Sequence, residues 1–375
     1  MINLRFSLFL VFFAGLILAG CNDDDDNGRD PLNVPDAYDG SNFEANTITE
    51  AAVRSQLSTF VNKAKEGRTP GVQVSASELD QLFAAGSPSL QDVTTSYYAG
   101  RVSGWIDELA SASGNSYTPG QPNGNGGTLG GYLFDENGLE LEQLLDKGLY
   151  GAAMYNHAIS LIDAGNLTPA TVDRLVSIFG AHPDFPNTNN SATADNPDQF
   201  LANYTARRDK NDGEGLYSQM KAHFITLQAA LQAGDLYNAE RDQALADLLL
   251  TWEQCNAATA INYCHQTLDK LSETNLTDDQ IGSGLHSYAE AVGFLHGWRT
   301  IPAEYKLITD AEIDQLLALL NAPYGGTPTS YTFVTDPANE LPKVQQVIDE
   351  LQGLYGFTDQ EIEDFKENWV NVQGR

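Results

Sequence analysis

The chain has 375 residues, with 51 Asp+Glu against 20 Lys+Arg, a formal charge of −31, and 42% hydrophobic residues. That apolar fraction sustains a sizeable core and excludes wholesale disorder, and the negative charge excludes a nucleic-acid partner, whose phosphates it would repel. Three cysteines are too few for a disulfide scaffold or a multi-thiolate zinc site.

The first twenty residues read as an export signal. Arg5 supplies a positive start and Leu8 to Leu18 an apolar run too short to span a bilayer comfortably. The run ends in Leu18-Ala19-Gly20-Cys21, a bacterial lipobox in which small residues admit the peptidase and Cys21 offers the thiol to be acylated. Several acyl chains on one cysteine anchor a protein stably, so the expected partner is the membrane and the expected location the outer membrane, facing the periplasm or the cell surface. Asp23 to Asp26 follow directly. They read either as a solvated tether or as an acidic surface-export signal, and residues 21–47 as a whole read as an acidic linker rich in Pro and Gly. Removing residues 1–20 removes one cation and no acid, so the mature body is more acidic still.

From about residue 48 the apolar spacing is helical, and 48–375 reads as one helical-bundle domain or as two bundle halves meeting near 180–200. Val53, Leu57, Phe60 and Val61 form the first stripe. Shorter helices are expected after Ser77 and from Tyr97 to Leu109. Residues 114–131 carry seven glycines with no Lys-Ser/Thr to follow, so they predict a surface loop or lid and no phosphate loop. Leu139 to Ile159 predicts a long buried helix, with small residues permitting close approach. Thr168-Pro169 opens a helix to Phe179, and 180–199 reads as a second long loop. Further helices are expected over about 214–233, 236–270, 277–298, 310–320, 343–354 and 358–370, with a loop over 323–342 in which Tyr331 to Val334 looks strand-like. The fold class is all-α, a helical bundle with long irregular loops.

The candidate site residues lie on two of these helices. His286 and Glu290 are four apart and share a helix face, so they can converge on one cation or form a structural hydrogen-bonded pair. Glu140, Glu142, Gln143 and Asp146 read either as an exposed charged face or, with Asp135 or Glu136 beside Glu140, as interior carboxylates opposite His286 in the manner of carboxylate-rich metal bundles. The metal-ligand candidates are therefore His286, Glu290, Glu140 and Asp135. His157 reads as a partnered core histidine. Cys255 and Cys264 on one continuous helix are roughly 13 Å apart along the axis, too far for a disulfide. No HExxH, GxSxG or paired CxxC occurs.

Tyr132-Leu133-Phe134-Asp135-Glu136-Asn137-Gly138-Leu139-Glu140, then Gln143, Lys147-Gly148-Leu149 and Gly151-Ala152, Tyr204 to Arg208, Trp252-Glu253, and His286-Ser287-Tyr288-Ala289-Glu290 with Gly293-Phe294 resemble, in the same order, an uncharacterised bacterial lipoprotein domain (domain-of-unknown-function family 4856). The likeness covers about residues 45–320. That domain is similar to the imelysin-like proteins, exported helical bundles linked to iron acquisition whose hallmark is GxHxxE. Gly284 and His286 match it, whereas the acid falls one residue late at Glu290, with Ala289 in its place. The resemblance implies an imelysin-like bundle and a non-enzymatic lipoprotein that binds a divalent metal, iron, haem or an iron-linked partner. A surface or periplasmic scaffold presenting the loops at 114–131 and 180–199 to a protein partner is the alternative, and a peptidase, for which no nucleophile or protease zinc motif is present, the third.

Overall fold

Thr168, Thr277, Thr309 and Thr358 start helices by one device. Each threonine hydroxyl accepts the amide three residues on, and the side chain at that position (Thr171, Gln280, Glu312, Glu361) accepts the threonine's own amide. Two otherwise orphaned donors are satisfied at once. The helices that follow are Pro169–Phe179, Asp278–Trp298, Asp310–Leu319 and Asp359–Asp364. The first of them ends where Gly180 adopts φ 101°, a conformation that glycine enters without strain.

The computed structural model describes residues 29–375, so the signal peptide, Cys21 and the run Asp23 to Asp26 lie outside the described residues. The body is all-α. Besides the helices named above it contains Ile48–Lys65, Ala76–Ala84, Ser96–Ala112, Leu141–Leu149, Asn156–Asp163, Phe200–Arg208, Leu216–Ala233, Asn238–Leu271 and Pro337–Tyr355. Among the described residues no helix is long and apolar enough to cross a membrane. The Asn238–Leu271 helix runs through the middle and packs against Asp278–Trp298, Leu216–Ala233, Pro337–Tyr355 and Phe200–Arg208. One hydrophobic core extends from Tyr38 to Val370, and helices on both sides of 180–200 share it.

The helix at Leu141–Leu149 lies unusually close to Asp278–Trp298. A Cβ built on Gly297 would fall 2.0 Å from the Gly148 carbonyl oxygen, and one on Gly293 would fall 2.5 Å from the Gln143 carbonyl oxygen. Backbone meets backbone here, and only glycine fits. The Leu141–Leu149 helix then passes through a wide π turn at Tyr150–Tyr155 into Asn156–Asp163. Such a turn accommodates one extra residue and loosens the regular bonding ladder; the Ala152 carbonyl accepts the Thr95 amide at 2.8 Å.

Several expectations need correction. Residues 127–134 form a hairpin, Gly127–Leu129 antiparallel to Tyr132–Phe134 with Thr128 opposite Leu133, because Gly130 and Gly131, both at positive φ, permit a tight reversal. Tyr331 to Val334 is not a strand: Thr332–Thr335 is a helical turn, and the next helix starts at Pro337, inside the expected loop. Phe200–Arg208 is a further helix, between the expected loop at 180–199 and the helix expected from about 214. The expected 358–370 helix breaks after Asp364 and resumes at Trp369. The described part of the expected linker is seated on the body, since Phe43 is buried and the buried Tyr38 hydroxyl donates to Asp173 at 2.6 Å.

Candidate functional site

The polar residues of the Leu141–Leu149 helix are inside the protein. Glu140, Glu142, Gln143, Asp146 and Lys147 are all buried, because the helix is enclosed by Ile48–Lys65, Ser96–Ala112 and Asp278–Trp298. The exposed charged face is thereby ruled out. Buried charges must find partners, and these do. Glu140 Oε2 meets His286 Nδ1 at 2.6 Å, and Glu290 Oε1 meets His286 Nε2 at 3.2 Å. Arg68 bridges Glu140 Oε1 at 2.9 Å and also contacts Glu142. Lys147 Nζ pairs with Asp146 at 2.6 Å, and Lys65 reaches the same carboxylate at 3.4 Å. Tyr132 from the hairpin stacks on the His286 ring at 4.3 Å between centroids.

The structure thus brings His286, Glu290 and Glu140 together. Asp135 does not join them. Its Oδ1 accepts the amides of Asn137 at 2.9 Å and Leu139 at 2.8 Å, an Asx-type turn that leads the chain into the helix. Asp135 belongs instead to the wall of a cavity described below.

The electrostatics are those of a closed network. Burial works to lower the imidazole of His286, but the charge and hydrogen bond of Glu140, together with Glu290, outweigh it and raise it to about 9. For Glu290 burial works upward, yet Lys147 and His286 pull it down to about 2. His286 is therefore an imidazolium at neutral pH, and both ring nitrogens donate to carboxylates. Glu140, Glu142, Asp146 and Glu290 face Arg68, Lys65, Lys147 and protonated His286 in equal number. A metal ion would have to displace the proton that the two carboxylates hold on this imidazole. Among the described residues no three His, Cys, Asp or Glu side chains converge in a way that could hold a metal ion. The arrangement does not fit a metal centre.

A pH dependence follows. The His286 proton is held to about 9 when folded against 6.5 when free, so its contribution is whole below pH 6.5 and is lost as pH rises through 9. At full extent it is roughly 3 kcal/mol. Burial also raises Asp135 and Asp198 from 3.8 to about 7, so each disfavours the folded state increasingly between pH 4 and pH 7. All three act in one direction. Melting temperatures followed by circular dichroism are expected to fall from pH 6 to pH 9, and His286→Gln should flatten the part above pH 7; a rise over that interval contradicts the assignment.

His157, 7% exposed, is a partnered core histidine: its Nε2 lies 3.1 Å from Glu50 Oε1, which also accepts Arg174 Nε at 2.8 Å. Cys255 and Cys264 are free and buried on one helix, with burial pushing each thiol up to about 12, the state of a structural thiol. The loop at 180–199 is tied down: Asp198 accepts the Thr188 amide at 2.9 Å and the Tyr217 hydroxyl at 2.7 Å, and Arg375 donates to the Asn187 carbonyl.

A second feature had no signal in the sequence. A cavity of about 560 Å³ lies between the Ser96–Ala112 helix, the glycine-rich loop and residues 322–328. Its apolar lining includes Trp105, Leu139, Leu144 and Val292, and its polar lining includes Asp135 and His296. The size suits a small ligand. Leu141 and Leu144 of the Leu141–Leu149 helix line the cavity, whereas none of the ion-paired residues Glu140, Glu142, Asp146, Lys147 and Glu290 does. The sequence contains every one of these residues, but they come from segments almost 230 positions apart in the chain, and no local pattern announces that they meet.

No known protein family, curated protein or solved structure matches the chain.

Proposed function

We propose that the chain is a lipid-anchored, non-enzymatic binding protein of the outer membrane, in which the 560 Å³ cavity receives a small molecule and the His286 network is a structural pin. The lipobox at Leu18 to Cys21 supports the anchor, and the resemblance to exported helical lipoproteins supports the setting. The observation that carries the reading is a contrast. In the network each carboxylate faces a cation of the chain itself, whereas Asp135 in the cavity wall has two backbone amides and no cation. Asp135 enters none of the ion pairs among the described residues, and His296 Nδ1 is buried without a hydrogen bond. Charges that are already paired have little to offer a newcomer; a buried carboxylate without a counter-ion has.

Trace-metal analysis of the dialysed mature protein, combined with melting in EDTA, tests the structural half of this reading. Substoichiometric metal and an unchanged melting temperature are expected. One equivalent of iron or zinc that disappears in His286→Gln overturns it and favours the iron-linked metal role that the resemblance implies.

A further inference from the structure

We infer that the cavity beside Asp135 binds an organic monocation, a small amine carried on an apolar body. This rests on the reading of the cavity as the ligand site and names the chemistry of the ligand. Leu139, Leu141, Leu144 and Val292 form an apolar part of the lining, which accommodates the carbon body of such an amine. Trp105, 4% exposed, stands in the wall with its ring roughly perpendicular to that of His296 at 5.4 Å between centroids, and adds to the apolar part of the lining.

The charges decide the sign. Arg101 lies over the Trp105 ring at 5.5 Å and offsets Glu108, whose carboxyl burial raises and Arg101 lowers. Glu136 Oε2 accepts the Gly124 amide at 3.1 Å, and no cation of the chain pairs with it among the described residues. Asp135 remains, 7% exposed. Its Oδ1 is fixed by the amides of Asn137 and Leu139, which leaves Oδ2 for whatever enters the cavity. The lining is thus net acidic, with one buried carboxylate oriented by its own loop and lacking a counter-ion. Burial, with the Glu108 charge adding to it and the loop hydrogen bonds opposing it, raises that carboxyl to about 7, the behaviour of an acid that an incoming ammonium would hold ionised. His296 adds no competing charge: burial, with Arg101 and Arg299 nearby, lowers its imidazole to about 3, so it is neutral at neutral pH.

An anion would meet Asp135, Glu136 and Glu108 with only Arg101 in its favour, and a neutral molecule would bring no charge to hold Asp135 ionised. Both are disfavoured for the same reason that buried unpaired carboxylates are rare.

Calorimetric titration of the mature protein with three probes of similar shape, 2-phenylethylammonium, 2-phenylethanol and 3-phenylpropionate, tests this. The ammonium is expected to bind at least tenfold more tightly than the other two. Asp135→Asn retains an Oδ1 to accept both loop amides but presents an amide in place of Oδ2, so it should cost the ammonium at least tenfold and leave the alcohol unchanged. Should that variant not fold, the ranking of the probes on the unaltered chain decides alone. Equal binding of the alcohol, or preference for the propionate, overturns the cation and leaves the cavity standing as a ligand site. Binding of none of the three overturns both.

Discussion

Replacing Lys147 with methionine is expected to lower folding stability by about 3–5 kcal/mol, the cost of leaving a buried charge without its partner. Methionine keeps most of the volume and removes the ammonium. Lys147 is buried beneath Tyr150 and Tyr204, whose ring centroids lie 5.6 and 5.1 Å from Nζ, and its charge is the largest favourable influence on both Asp146 and Glu290. Without it those two carboxylates share one dry region with Glu142. Urea denaturation at neutral pH measures the loss. The double variant Lys147→Met/Asp146→Asn should regain part of it, because it removes one uncompensated acid together with its cation. A loss under about 1 kcal/mol would mean that water reaches the network and that it is not the closed structure described above.

The second large effect is steric. Gly297→Ala places a methyl group 2.0 Å from the backbone oxygen of Gly148, where no side-chain rotation can relieve the clash. The two helices must separate, and overpacking of this kind costs about 1–3 kcal/mol or more. The separation would also pull His286 and Glu290 away from Glu140, since they ride on the same pair of helices. A control of opposite sign is available on the Ser96–Ala112 helix. A Cβ on Gly104 would meet nothing within 4 Å, so Gly104→Ala should gain about 0.5–1 kcal/mol through helix propensity. Thermal melts of the two variants, set against the unaltered chain, check both signs together; a neutral Gly297→Ala would mean that the helices can part without penalty.

Helices bounded by local chemistry were legible in the sequence. Thr168-Pro169 and Thr277 announced their helices because a cap is made within four residues. The pairing of His286 with Glu290 was legible for the same reason, being a matter of four positions on one helix. The partners Arg68 and Tyr132 were not, because they arrive from a segment just past the Ile48–Lys65 helix and from the hairpin, and nothing near either residue distinguishes it from a surface side chain. The acids at 140–146 were readable as either exposed or interior. Only the enclosure of their helix on three sides settles which, and that is a property of packing rather than of any local run of residues. Asp135 was singled out for its proximity to Glu140 in the chain, yet the turn it forms with Asn137 and Leu139 aims it elsewhere. The strand-like Tyr331 to Val334 misled because β-propensity describes a half-buried surface, and here the chain folds back on itself before a helix that begins with Pro337.

The widened turn at Tyr150–Tyr155 has a bearing on how this molecule tolerates change. Its surplus residue resets the angular phase of the chain midway along one axis. Side chains up to Leu149 are geared to His286 and its neighbours, while those from Asn156 onward are geared to Glu50 and Arg174 through His157. Two polar contacts that a single straight rod would have locked in a common rotation can therefore be aimed separately, and sequence drift around one leaves the alignment of the other intact.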